Sequence, residues 1–265
     1  AHQWMNLSAN LGNPSALHHR ETIADKLTPK QTREALKHIS SFRAKHSTIA
    51  LASAPTTLPT GAGFFITTQG HLLTSHQLIA QGRRIEVRTK TGNHPAELIK
   101  TDPAKDIALL HIKSQTTPLL LNTQKAPRLG QGVFTIGFQN HRPQGITSKY
   151  TAGRIRSLFG PKNNPQLLQL SVPLQPGNLG GALVDEDGAV IGMITFRQDD
   201  PKISNLTGNL TQNVNYAIKS AHIRGFLATV PLVQARLPQT STPATSYEAA
   251  IELAQSATAF ILVHD

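Results

Sequence analysis

The 265 residues carry 26 Lys and Arg against 15 Asp and Glu, a formal charge of +11, with 38% apolar and 5% aromatic residues. That length allows one large or two small domains, and the apolar share is enough for a core. The absence of cysteine excludes a disulfide framework, a thiol nucleophile and thiolate metal sites.

No stretch approaches the roughly 18 to 20 apolar residues of a membrane span; the longest candidate is Ala259 to Val263. The positive charge is dispersed, its densest places being His18-His19-Arg20, Arg83-Arg84 and the Arg154/Arg156 pair. No block reaches five or six like charges and no aromatics interleave to stack bases, so nucleic acid is not the expected partner. Gly and Pro are frequent but scattered, as in many short strands joined by turns. No charged-then-apolar leader is visible and the first residue is Ala1, as expected of a mature or trimmed form.

The first elements in chain order are helical. Asn13-Pro14 supplies an N-cap followed by Pro at the first helical position, and Thr28-Pro29-Lys30-Gln31 adds a capping box. Behind it Ala35, Leu36, Ile39 and Phe42 recur at helical spacing. The stretch Trp4 to Ala16, with Ala9-x-Leu11-Gly12-Asn13-x-x-Ala16, resembles the end of a tetratricopeptide-like helical hairpin, which cannot bury its face alone. Residues 1–46 are therefore expected to form a helical extension, either packed on the rest of the chain or ending a repeat array.

From Ser47 the pattern changes to short, turn-bounded apolar runs. They are Thr48–Ala52, Gly63–Ile66, His71–Thr74, Arg84–Val87 and Ile107–Ile112, then Gly132–Ile136, Leu167–Leu170, Ala189–Thr195 and Asn213–Ile218. Such spacing predicts an all-β barrel or sandwich. A helix over Ser220–Ala228 comes next, then a Pro/Thr/Ser linker from Leu237 to Ser246. Thr245-Ser246-Tyr247-Glu248 then caps a small-residue helix that runs into the strand-like Thr258–Val263, for which the sequence names no pairing partner.

Four ordered segments resemble the trypsin-like serine protease family in its bacterial, HtrA-like form. They are Gly61-Ala62-Gly63-Phe64-Phe65-Ile66 with Gly70-His71-Leu72-Leu73-Thr74; Asp102 to Leu110; Gly132 to Gly137; and Gln175-Pro176-Gly177-Asn178-Leu179-Gly180-Gly181-Ala182-Leu183 with Gly188 to Gly192. Asn215-Tyr216-Ala217-Ile218 looks like the last strand of that fold. The resemblance implies a mainly β double antiparallel barrel over 47–228, with the first barrel at about 47–115 and the second at 128–218. The helical extension precedes it, and residues 229–265 form a linker, helix and strand. It also implies a cleft between the barrels and a periplasmic or secreted bacterial location.

Carried over residue by residue, the resemblance puts Gln77 at the position of the catalytic base, Asp106 at that of the orienting carboxylate and Leu179 at that of the nucleophile. Leu has no lone pair to attack a carbonyl, and a Gln amide does not titrate near neutral pH. Gly177, Asn178 and Leu179 stand where the oxyanion loop would be, with Gly supplying the backbone freedom such loops need. His76, one residue before Gln77, is expected to point away from the cleft; with Leu179 and Gly180 it completes the candidate cleft-binding set. Asp106 is expected to be buried and bonded by Gln77, Thr74 or backbone amides. Twelve histidines raise the question of a metal, with His71, His76 and His141 the residues that would converge, but no His-x-x-x-His pair occurs and neither metal nor cofactor is expected. The expected activity is that of a pseudoprotease binding a peptide or protein segment. The alternatives are a scaffold with a vestigial cleft and a divergent serine endopeptidase.

Overall fold

A computed structural model describes residues 60–122, 125–141, 145–195, 215–238 and 244–264. The expected helical extension and the run Thr48–Ala52 lie outside these residues. Those described belong to one compact unit, Leu58–Asp265.

Among the described residues, twelve strands form two closed six-stranded barrels. The first contains β1 (Thr60–Phe65), β2 (His71–Thr74), β3 (Arg84–Thr89), β4 (Gly92–Asp102), β5 (Ile107–His111) and β12 (Thr258–His264), in the order β1-β12-β3-β4-β5-β2. The second contains β6 (Gly132–His141), β7 (Gly145–Ser157), β8 (Leu167–Leu170), β9 (Ala182–Asp185), β10 (Val190–Thr195) and β11 (Asn215–Lys219), in the order β10-β11-β8-β7-β6-β9. All pairings between named strands are antiparallel. Closure removes the open edges that a flat sheet would expose.

Side-chain alternation explains why several strands read as continuous apolar runs. On β1, Phe65 points into the first-barrel cluster with Leu72, Val87, Leu110 and Ile261. Its neighbour Phe64 joins a second cluster with Leu109, Phe134, Val190, Phe226 and Ala254. Strand β5 repeats the pattern, with Leu110 in one cluster and Leu109 in the other. Successive side chains face opposite ways, so both faces of β1 and β5 are covered by protein. The second barrel is filled by Val133, Leu168, Leu170, Ile191 and Ala217.

The strand left without a partner in the sequence closes the first barrel. β12 pairs with β1 from Thr60↔Leu262 to Phe64↔Thr258, and with β3 from Phe260↔Arg88 to His264↔Arg84. The expected domain limit at residue 228 is thereby corrected, because a strand beyond it is part of the first barrel. The limit looked natural because the Pro/Thr/Ser-rich sequence from Leu237 to Ser246 separates β12 from its partners along the chain. Helices α1 (His76–Ile79), α2 (Ser220–Leu227) and α3 (Pro231–Gln234) are short, and α4 (Tyr247–Ala257) leads into β12. Ser246 caps α4 by accepting from the Ala249 N–H at 3.2 Å. Ala250, Ala254 and Ala257 form its buried face, small enough for close packing. Tyr247 meets Phe134 edge-on and shares a 2.9 Å hydrogen bond with the Tyr150 hydroxyl, so α4 rests on β6 and β7 of the second barrel while β12 completes the first.

A pair of histidines sits side by side on adjacent strands of the first barrel. His71 on β2 faces His111 on β5, their ring centroids 4.6 Å apart, and the His71 Nδ1 lies 2.9 Å from the Thr67 hydroxyl. Burial, then the neighbouring His111 and Arg236, push His71 down to about 4. The folded value lies below the unfolded one of about 6.5, so the unfolded chain binds more protons between those two values. Stability from this site is therefore present above about pH 6.5 and is lost as pH falls toward 4. Urea unfolding at pH 7 and pH 5 is expected to differ by about 1–2 kcal/mol from this site, allowing for the open side of the His111 ring. His71→Phe should remove that part of the pH dependence; an unchanged slope would show that the pair is not responsible.

Candidate functional site

Asp106 opens β5 from a turn in which its N–H bonds the Pro103 carbonyl at 3.3 Å. Its φ of 56° is left-handed, an uncommon state for a non-Gly residue that the surroundings must hold in place. The carboxylate provides the restraint. Oδ1 accepts from the Ser75 hydroxyl at 2.7 Å and the Gln77 N–H at 2.9 Å, and Oδ2 accepts from the Thr195 hydroxyl at 2.6 Å. Asp106 is buried. Ser75 and Gln77 lie where β2 passes into α1, and Thr195 ends β10, so one carboxylate ties the two barrels together.

The glycine-rich loop sits against the first barrel on one side and β6 on the other. Its centre is a 3-10 turn over Pro176–Asn178, closed by Asn178 N–H to Gln175 carbonyl and by Gln175 N–H to Asn178 Oδ1, both 2.8 Å. The Leu179 carbonyl accepts from the Ala62 N–H on β1 at 2.8 Å. A Cβ on Gly61 would come within 2.6 Å of that carbonyl, and one on Gly177 would overlap the Phe138 carbonyl. Gly180 has φ +81°, and a Cβ there would overlap the Thr74 hydroxyl. Glycine at these places lets the loop approach both strands at backbone distance.

The expected site residues separate accordingly. Gln77 is exposed and reaches Asp106 through its backbone N–H. Leu179 is half-buried and packs against the first-barrel cluster containing Leu78 and Ile79. His76 is half-buried; its N–H bonds the Asp106 carbonyl at 3.4 Å, and its Nδ1 is buried without a hydrogen-bond partner among the described residues. Gly180, of the expected cleft-binding set, is buried, and its N–H donates to the Ile194 carbonyl at 3.0 Å. Of the expected oxyanion loop, Asn178 spends its N–H within the turn. Thr74 is no partner of Asp106, because its hydroxyl donates to the Ala62 carbonyl at 2.8 Å. The partners missed in the sequence are Ser75 and Thr195. Ser75 was visible one residue from Thr74, whereas Thr195 is brought in only by the fold. His71 pairs with His111, and among the described residues no group of three or more His, Asp or Glu is placed to hold a metal. The His141 side chain lies outside the described residues.

A double barrel, a buried Asp between the barrels and a Gly-rich loop at the same junction define a chymotrypsin-like architecture. The sequence matches the trypsin-like peptidase domain family over residues 61–193, half of the chain, and the chain belongs to that family. Its relatives place it in the HtrA-like branch. It is 32% identical over 230 residues to the serine protease HTRA1B of Danio rerio, covering 82% of this chain and 43% of that protein. With a probable periplasmic serine endoprotease, DegP-like, of Pseudomonas fluorescens it shares 37% identity over 139 residues, 50% of this chain and 28% of that one. Among solved structures, the HtrA-type protease AlgW with a decapeptide superposes with a TM-score of 0.53 at 25% identity, over 65% of this chain and 51% of that one. The chain spans less than half the length of these curated relatives. Among the described residues no helix is long and apolar enough to cross a membrane.

Proposed function

We propose that this chain is a catalytically silent member of the trypsin-like family whose cleft holds a peptide or protein segment without cutting it. The observation that carries the reading is the state of the Asp106 junction. Its support network is complete, yet the residues at the base and nucleophile positions are Gln77 and Leu179. Neither can perform the proton transfer or the attack that acyl transfer needs. Losing one member of such a unit already costs several orders of magnitude in rate. The decapeptide carried by AlgW supports a peptide as ligand, bound as an added strand along the cleft. The DegP-like relative supports a periplasmic or secreted location.

A second reading, a scaffold with a vestigial cleft, is favoured by Leu179 lying against the first-barrel cluster. Restoring the chemistry separates the two. Leu179→Ser combined with Gln77→His is expected to give slow but measurable casein turnover and labelling by a fluorophosphonate. A double variant with native near-UV circular dichroism and no turnover would favour the scaffold.

A further inference from the structure

A cavity of about 360 Å³ opens at the end of the first barrel reached by the C-terminus of β5, whereas Asp106 lies at the start of that strand. Three segments line it: Thr89, Lys90 and Thr91 at the β3–β4 turn, Ser114 to Thr117 after β5, and Ser256 and Thr258 where α4 becomes β12; Phe65 completes the lining. Its volume lies at the lower end of the range for small-molecule sites, with room for a monosaccharide or disaccharide.

The chemistry of this wall is narrow. Among its described residues seven carry hydroxyls, one carries an amide and one an ammonium, and none carries a carboxylate. Several hydroxyls have already spent their proton on backbone carbonyls. Thr116 donates to Thr67 at 2.8 Å, Ser256 to Leu253 at 2.8 Å and Thr258 to Ala254 at 2.6 Å. Thr89 and Thr91 bond each other at 2.8 Å, and both lie 3.2 Å from the His94 Nε2. A hydroxyl that has donated inward still offers lone pairs outward. The wall is therefore rich in acceptors, with donors supplied by Lys90, Gln115 and the Thr117 hydroxyl.

Other ligand classes fit less well. A divalent cation finds no carboxylate among the described lining residues. An anion meets one exposed lysine, opposed by the negative end of α4, which has no basic residue in its last turn. A purely apolar ligand would strip water from the Lys90 ammonium and the Gln115 amide without replacing it. We propose that this cavity is a binding site for a small neutral polyhydroxylated ligand, a saccharide of one or two rings, separate from the protease-like cleft. Such a ligand donates hydroxyls to the outward lone pairs of the wall and accepts from Lys90 and Gln115.

The test is an amide chemical-shift titration of the whole chain with trehalose and with methyl glucoside, and with sodium phosphate in parallel. Saturable shifts confined to residues 89–91, 114–117 and 256–258 are expected with at least one sugar and none with phosphate. Thr117→Trp, at an exposed position of the cavity wall, should fill the space and weaken the sugar response at least about tenfold. Arg128→Ala, at an exposed position that does not line this cavity, should retain it. The proposal is overturned by no saturable shift with either sugar, by a sugar response unchanged in Thr117→Trp, or by phosphate taking the same residues.

Discussion

Deleting residues 247–264 should abolish cooperative folding of the first barrel, although most of its strands come from the other end of the chain. β12 is the stave between β1 and β3, and Ala259, Phe260, Ile261 and Val263 are each at most 2% exposed. The three larger side chains contribute about 1.5–3 kcal/mol apiece through burial, a sum that rivals the 5–15 kcal/mol stability of a typical domain. Deletion also bares the edges of β1 and β3, ready to pair with other chains. Phe260 packs edge-on against Phe138 of β6 with centroids 5.4 Å apart, so the second barrel loses a contact as well. The truncated protein is expected to aggregate or to bind a hydrophobic dye without a sigmoidal urea transition. A graded version is Ile261→Ala, expected to lower unfolding free energy by about 2–4 kcal/mol. A truncated chain with a sharp transition at the parent midpoint would show that β12 is dispensable.

The second large effect is expected at Asp106, whose carboxylate bonds groups of both barrels. A change to Ala leaves the hydroxyls of Ser75 and Thr195 and the Gln77 N–H facing a void, each without its acceptor. Buried donors left unpaired cost about 1–3 kcal/mol each, part of which water entering the void would recover, so a loss of about 3–5 kcal/mol is expected. Asp106→Asn should cost less. Asn tolerates the left-handed backbone and keeps one acceptor oxygen, although its amide hydrogens must face a hydroxyl that now donates. Urea unfolding of the two variants gives the comparison. A loss under about 1 kcal/mol for Asp106→Ala would mean that the carboxylate does not bind the barrels together. If the cleft is silent as proposed, the junction alone gives Asp106 its task.

Much of this architecture was legible as short apolar runs between turns. The runs at His71–Thr74 and Leu167–Leu170 coincide with strands, because their burial demands apolar residues at successive positions. Strand β4, by contrast, went unread: Gly92–Asp102 is mostly exposed and carries Asn93, His94, Pro95, Glu97 and Lys100, so neither apolar content nor alternation announces it. Strand β7 is hidden for a similar reason, with Lys149, Tyr150, Arg154 and Arg156 among its residues. The partner of β12 was illegible because pairing to β1 joins residues at opposite ends of the described chain, and no local signal encodes register at that separation. The site divides the same way. The residues at Gln77, Asp106 and Leu179 are local facts of sequence, while the Thr195 hydroxyl on Asp106 and the burial of Gly180 depend on two barrels meeting.

The chemistry at the Asp106 junction is tested most directly by treating the purified, unmodified chain with a fluorophosphonate probe while following casein hydrolysis. No labelling and no turnover above a buffer control are predicted, since Leu179 offers nothing to phosphonylate. Labelling that rises in step with casein turnover would contradict a silent cleft and restore this chain to the working proteases.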